Sequence, residues 1–330
     1  MSDKSTYTLG IDIGGTKIFA AVIDKNGKIL GVGRKATKAE KGADAVVKRI
    51  LKTVDEAVEV AKIEPNQIIA IGAGVPGMVD DANGMVTGAV NLPGWMGLPL
   101  GQHLSSWNNI NVPVALLNDV KAACYGELVI GAGRNVKHFV TIFVGTGIGG
   151  GIVIDGQVYL GGRKSAGEIG HMVQMVDGPT NQSGTVIRGG IEALASRTAI
   201  VRDIQSAIAH GRKSIVPKLI EEKGEITSSI LAMAMKKKDH LTAEIVDRAA
   251  YQLGVHAASL INCLDPEMLI WGGGVIEALG EWMLPHIQEV AMQHCVFKKD
   301  ADQIKFVRSE LGDYAGVIGC AMKAREKAGV

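Results

Sequence analysis

The amino-acid sequence predicts an α/β protein assembled from two copies of one half-domain. Three observations lead there. An apolar run, a glycine break, a second apolar run, a turn and a third apolar run follow one another from Tyr7, and the same order returns from His138. The first copy continues into apolar residues at helical spacing and then into a buried-strand pattern. A chain of 330 residues is also too long for one small core, so two lobes are expected.

In the first copy, residues 8–13 read as a strand, and Gly14, Gly15, Thr16 and Lys17 break it. Residues 18–23 form a second strand, Asp24 to Gly27 carry a turn signal, and residues 28–34 form a third strand. Helical periodicity covers residues 43–61, and a buried strand follows at 68–72. In the second copy, residues 139–144 are a strand broken by Gly145, Thr146 and Gly147. Strands at 151–154 and 157–160 flank the turn at Asp155 and Gly156. Gly14 aligns with Gly145, and Asp24 then meets Asp155 without a gap. In that alignment Asp12 faces Phe143 and Lys17 faces Ile148, so only the first copy carries an acid and a base beside its loop.

Composition removes several functional classes. Hydrophobic residues make up 47%, which excludes a mainly disordered chain. A net charge of +1 implies no general attraction to nucleic acid, and Lys236, Lys237 and Lys238 read as a solvated face. The N-terminal stretch has no apolar signal core and no run is long enough to span a bilayer, so no membrane partner is expected. Cys124, Cys263, Cys295 and Cys320 lack metal or redox spacing, which suits a reducing cytoplasm. Cys124 and Cys263 fall in apolar helical patterns and are expected to pack as small hydrophobes.

The glycine loops suit phosphate. Glycine permits close approach and positive φ, so backbone N–H groups can converge on an anion. Asp12 suits a Mg²⁺ ion held through its waters, Thr16 a hydroxyl donor to phosphate, and Lys17 a counter-charge. Either loop alone is also ordinary turn chemistry. The GxxxxGK[ST] spacing is absent, and strands rather than helices follow both loops, so neither a Walker A loop nor a dinucleotide fold is predicted. A third cluster, Gly272, Gly273 and Gly274, follows the apolar strand at 268–271 and precedes a helical pattern. Backbone without side chains there leaves room for a flat base, and it also makes a tight strand-to-helix turn.

Residues 114–117 form another apolar strand, ending in Asn118 and Asp119 before a helical pattern at 120–130. Both residue types are good N-caps. A carboxylate at this junction is equally placed to take a proton from a substrate alcohol. Glu168 and His171 are three apart and would share one face of a helical turn, while Glu192 opens an apolar-periodic segment at 191–208. Such groups can meet the many hydrogen bonds of a sugar.

At this point the motifs resemble the ROK family of sugar kinases and repressors. The matching elements are LGIDIGGTK at 9–17, GVPGMVD at 74–80, NLPGW at 91–95, ND at 118–119, GTGIGGGIVIDG at 145–156, AGEIGHM at 166–172, GIEALAS at 190–196, LINCLDPEMLIWGGGV at 260–275 and LGDYAGVIGCA at 311–321. The resemblance implies a two-lobed actin-like ATPase fold of ribonuclease-H type. Residues 1–118 with about 312–330 would form a small lobe and 119–311 a large one, with ATP and sugar between them. It implies Asp119 as the catalytic base. Asn118, Glu168, His171 and Glu192 become sugar contacts, with Gly77 and Asn91 as helpers. The loops at Gly14 and Gly145 become phosphate contacts, and Gly272 to Gly274 the nucleoside contact. The expected reaction moves the γ-phosphoryl group of ATP, with Mg²⁺, to the 6-hydroxyl of a hexose, glucose being the first choice. Fructose, mannose, N-acetylmannosamine, a polyphosphate donor, and a non-catalytic sugar-binding regulator are the alternatives. A homodimer is expected from the family. The family's zinc-binding cysteines align with Ser183, Thr185 and Gly190, none of which supplies a thiolate, so no structural zinc is expected and His171 is released from metal duty.

Overall fold

The computed structural model describes residues 6–89, 92–181, 187–296 and 303–330. The chain folds as two compact units, Met1–Asn135 with Asp313–Val330, and Val136–Gly312. The first unit therefore runs past the expected boundary at residue 118 and takes in the helix that follows it. The reason is packing against the C-terminal helix, Ala315–Lys327. Tyr125 donates its hydroxyl to Glu326 at 2.7 Å, and a Cβ at Gly319 would fall 1.7 Å from the Ala122 carbonyl.

In the first unit, β1 (Tyr7–Ile13), β2 (Lys17–Ile23) and β3 (Ile29–Ala36) form an antiparallel meander. Helix α1 (Ala43–Ala61) leads to β4 (Ile68–Val75), which pairs parallel to β1. A small hairpin of β5 (Met78–Asp80) and β6 (Met85–Gly88) and the short helix α2 (Leu100–Ser105) precede β7 (Val114–Asn118), parallel to β4. Helix α3 (Asp119–Val129) follows. The sheet order is β3-β2-β1-β4-β7. β1 is apolar on both faces because both are covered. Leu9, Ile11 and Ile13 share a core with Val46, Ile50 and Val54 of α1. On the opposite face, Gly10 and Gly72 let the C-terminal helix lie directly on the sheet, since a Cβ at either would fall 1.9 Å from the carbonyl of Val317 or Cys320.

The second unit repeats the plan. β8 (Phe139–Val144), β9 (Ile148–Ile154) and β10 (Gln157–Val158) form the meander. Helices α4 (Ile191–Ala195), α5 (Arg197–Ala209), α6 (Val216–Lys223), α7 (Ser228–Lys236) and α8 (His240–Leu264) come before β11 (Met268–Gly272), parallel to β8. Helix α9 (Gly274–His294) and β12 (Lys305–Arg308) complete it. The sheet order β10-β9-β8-β11-β12 has the same directions as the first sheet, which bears out the duplication. Its core is its own, built on Ile142, Trp271, Leu253 and Ile287.

Two local expectations change. The segment 191–208 is two helices, because Ser196 leaves helical geometry (φ −68°, ψ 165°) and its hydroxyl accepts from Ala199 N–H at 3.2 Å to start α5. Cys263 is exposed, whereas Cys124 is buried as expected, because the two lie on different faces of their helices. Among the described residues no helix is long and apolar enough to cross a membrane.

Candidate active site

The loop after β1 is closed by its own backbone. Gly14 N–H donates to Lys17 C=O at 2.8 Å, so this glycine spends its donor on the turn. Thr37 clamps both sides, giving its hydroxyl to Gly14 C=O at 2.6 Å and its N–H to Thr16 C=O at 2.8 Å. Gly15, Thr16 and Lys17 are left exposed at the tip. Asp12 sits just behind them on β1. Burial, with the charges of Asp119 and Asp313 adding to it, pushes its carboxyl up to about 7.

Gly74 of β4 is the register partner of Asp12, and a Cβ there would lie 3.4 Å from the Asp119 Cα. Such a Cβ would also meet Cys320 Sγ at 3.1 Å and the Ala122 Cβ at 3.6 Å, so glycine here lets the start of α3 and the C-terminal helix pack close against β4. Asn118 is the N-cap of that helix, its Oδ1 accepting from Val120 and Lys121 N–H, each at 3.1 Å. Its Nδ2 donates to Gly77 C=O at 3.2 Å. Gly77 has φ 129°, and a Cβ would fall 2.0 Å from Gly88 C=O, so only glycine fits. Asp119 is the first helical residue, and its Oδ1 also meets Val120 N–H at 2.9 Å. The structure therefore gives the cap to Asn118, and Asp119 adds one acceptor to the same helix start. The Cys320 thiol is fully buried here; burial, then Asp12 and Asp119, holds it protonated well above its ordinary range.

In the second unit Gly145 N–H closes the loop on Gly147 C=O at 2.9 Å. The rest of the loop is held from outside. Arg197 N–H donates to Gly145 C=O at 2.9 Å, its guanidinium to Thr146 Oγ1 at 2.6 Å, and the Thr198 hydroxyl to Thr146 C=O at 2.7 Å. Glu192 accepts from Ile148 N–H at 2.9 Å through Oε2, and a Cβ at Gly147 would fall 2.2 Å from that same oxygen. The second loop thus carries a base after all, Arg197, supplied by α5 rather than by the repeat itself.

Glu168 precedes a single 3-10 turn, Ile169–His171, which sets His171 Nε2 3.9 Å from Glu168 Oε2. Asn181 reaches toward both remaining groups: its Nδ2 donates to Glu192 Oε1 at 3.0 Å and lies 3.3 Å from His171 Nδ1. Glu168, His171 and Glu192, expected together from the sequence, are brought together. The strand-like bridges Val173 to Gly190 and Thr180 to Arg188, with Gly189 N–H on Pro179 C=O at 2.8 Å, hold the described flanks of the loop where the zinc cysteines would lie. Gly190 is described; Ser183 and Thr185 lie outside the described residues, as does Asn91.

The three glycines after β11 divide their work. A Cβ at Gly272 would strike the Phe143 ring at 2.7 Å, and one at Gly273 (φ 83°) would fall 2.6 Å from Val144 C=O. Both are therefore demanded by packing on β8. Gly274 opens α9 with no atom nearer than Ser228 Oγ at 3.8 Å from such a Cβ. That hydroxyl is buried and has no hydrogen-bond partner among the described residues. Among the described residues no group of three or more His, Cys, Asp or Glu is arranged to hold a metal ion.

The sequence does not single out Thr37, Asn181, Arg197 or Asp313. Ser196 is a signal that was available for Arg197, since a serine N-cap would have started a helix there. Nothing local marks Asn181, whose partners are ten and eleven residues away.

A duplicated five-stranded α/β unit with a glycine loop at the first bend of each copy defines a protein of the actin-like ATPase and sugar-kinase fold. The chain belongs to the ROK family, whose pattern it matches over residues 8–327. It is 33% identical to a glucokinase of Halalkalibacterium halodurans over 321 residues, 97% of this chain and 94% of that one. Among solved structures it resembles a ROK family glucokinase from Streptomyces griseus in complex with glucose and AMPPNP, with TM-score 0.82, 30% identity, and coverage of 97% and 99%. It is also 28% identical to a xylose repressor of Caldicellulosiruptor bescii, over 94% of this chain and 76% of the repressor.

Proposed function

We propose that this chain is an ATP-dependent hexose kinase that phosphorylates the 6-hydroxyl, with glucose as the first candidate substrate. The observation that carries the reading is the division of labour at α3. Asn118 takes the helix cap, and Asp119 sets a carboxylate at the mouth of the helix with Oδ1 on Val120 N–H, close enough to Asp12 to raise its pKa. In this reading Asp119 accepts the proton of the sugar hydroxyl as the new P–O bond forms. Phosphoryl transfer is mostly positioning and charge stabilisation, so an ordinary carboxylate suffices. Glu168, His171 and Glu192 hydrogen-bond the sugar's other hydroxyls, with Asn118, Gly77 and Asn91 supporting.

ATP with Mg²⁺ supplies the phosphoryl group and the cation that offsets its charge. The residues fit that pair. The exposed loop tips Gly15, Thr16, Lys17 and Thr146 offer donors, Arg197 and Lys17 offer positive charge, and Gly274 leaves open space for the nucleoside. Asp12 is destabilised as an anion by burial first and then by two neighbouring carboxylates, and a divalent cation held through water would relieve that. A homodimer completes the reading and is checked by light scattering.

The test is an ADP-release assay over glucose, mannose, fructose, N-acetylmannosamine and N-acetylglucosamine, with polyphosphate as an alternative donor. Asp119→Ala is expected to lower turnover by about 10²–10⁴-fold, the range of a positioned base, while sugar binding by calorimetry is retained. Near-normal turnover of that variant removes Asp119 from the role. Sugar binding without any turnover in the native chain supports instead the regulator reading that the xylose repressor relative suggests.

A further inference from the structure

We propose that Asn181 is a positioning residue whose amide ties His171 to Glu192 and, through Glu192, to the backbone of the second glycine loop. The chain of contacts is continuous. Asn181 Nδ2 lies 3.3 Å from His171 Nδ1 and donates to Glu192 Oε1 at 3.0 Å; Glu192 Oε2 accepts from Ile148 N–H at 2.9 Å. A side-chain amide nitrogen carries two protons, so it can serve a carboxylate and an imidazole at once. That arrangement requires the lone pair on His171 Nδ1, which places the ring proton on Nε2, the nitrogen facing Glu168 Oε2 at 3.9 Å.

The consequence is mechanical. One oxygen of Glu192 meets Asn181 and the other meets Ile148 N–H. A carboxylate in place of the Asn181 amide would repel Oε1 and turn Oε2 from its place over Gly147, where even a methyl group would touch it. Asn181 thus sets both the tautomer of one proposed sugar contact and the position of another. It also couples those contacts to the loop proposed to hold phosphate. Its catalytic consequence rests on the kinase reading; its structural consequence does not.

The test uses the full chain with N181D, which keeps the shape and removes both donors, and N181D combined with E192Q, which restores an amide–carboxylate pair with its direction reversed. The first measurement needs no activity. Ring ¹⁵N shifts of His171 at mildly alkaline pH are expected to show the Nε2–H tautomer in the native chain and a mixture in N181D. Hydrogen exchange at the Ile148 amide is expected to quicken about 10-fold or more in N181D, as a hydrogen bond to a charged group is lost, and to recover in the double variant. The same tautomer and the same exchange in all three proteins overturn the proposal, and so does a double variant that exchanges as fast as N181D. The second measurement is kinetic: KM for the sugar is expected to rise about 10–100-fold in N181D with a smaller change in kcat. An unchanged KM overturns the catalytic part. If the native chain phosphorylates no hexose, the kinase reading fails, and the tautomer and exchange data still decide the bridge.

Discussion

The two halves of this molecule share a backbone and differ in what they place on it. In the first unit the residue two before the glycine loop is Asp12, paired in register with Gly74; in the second it is Phe143, paired with Gly272. The same parallel strand pair therefore presents a carboxylate in one copy and a phenyl ring in the other. At Gly74 a Cβ would meet Cys320 Sγ at 3.1 Å and the Asp119 Cα at 3.4 Å, whereas at Gly272 it would strike the Phe143 ring at 2.7 Å. Each loop also finds its cation differently. Lys17 belongs to the first hairpin itself, while Arg197 comes to the second from a helix fifty-one residues after Thr146. A repeat thus supplies the same frame twice, and in the proposed function single side chains decide which copy adds acid–base and metal chemistry to the holding of phosphate.

The largest test of that asymmetry is Asp12→Asn. Turnover is expected to fall by about 10²–10³-fold, the several kcal/mol that a metal-ion clamp contributes. The same variant has a second signature. Asp12 titrates at about 7 in the folded chain against 3.8 ordinarily, so between those values the folded state holds a proton that the unfolded state has lost. Stability therefore falls as pH rises through that window. The variant is expected to lose this slope and to melt above the native chain at pH values beyond about 7, as followed by circular dichroism. A variant that is both active and unchanged in its pH–stability curve would mean that Asp12 is no different from its counterpart.

Next in size is Arg197→Ala. It removes the charged hydrogen bond at Thr146, and KM for the nucleotide is expected to rise about 10-fold or more while sugar affinity changes less. Steady-state kinetics in both substrates checks this, and an unchanged nucleotide KM would restrict Arg197 to holding the loop. Gly77→Ala is expected to destabilise the first unit by about 1–3 kcal/mol in urea, because both φ and the Gly88 carbonyl oppose a Cβ. The smallest effect is expected at Phe143→Leu. Its turnover should stay within about twofold of native, with a modest loss of stability from the vacated ring volume. A large loss of turnover there would show that the second copy contributes more than a frame.

Much of the fold was legible in the sequence because strand length, turn chemistry and helical periodicity are local properties. The helix Ala43–Ala61 and the strand Phe139–Val144 lie where their patterns put them, and the alignment of Asp12 with Phe143 survives as a register in two sheets. The failures share a cause. Residues 191–208 look continuous to apolar periodicity, which does not register that Ser196 caps a new helix. Cys263 looks apolar in its window, yet its face of α8 is uncovered. The boundary expected after Asn118 follows the strand's end, while the chain's own division follows the packing of α3 on a helix two hundred residues later.

The sequence by itself determined the two glycine hairpins, their shared order and the single acid that distinguishes them, since each of these is written in neighbouring residues. Tertiary structure alone decided which of Asn118 and Asp119 is the cap, which of the three glycines after β11 are demanded by packing, and which side chains reach the second loop. Those outcomes depend on hydrogen bonds and close contacts between segments far apart in the chain, such as Arg197 with Thr146, and no local pattern encodes the distance between them.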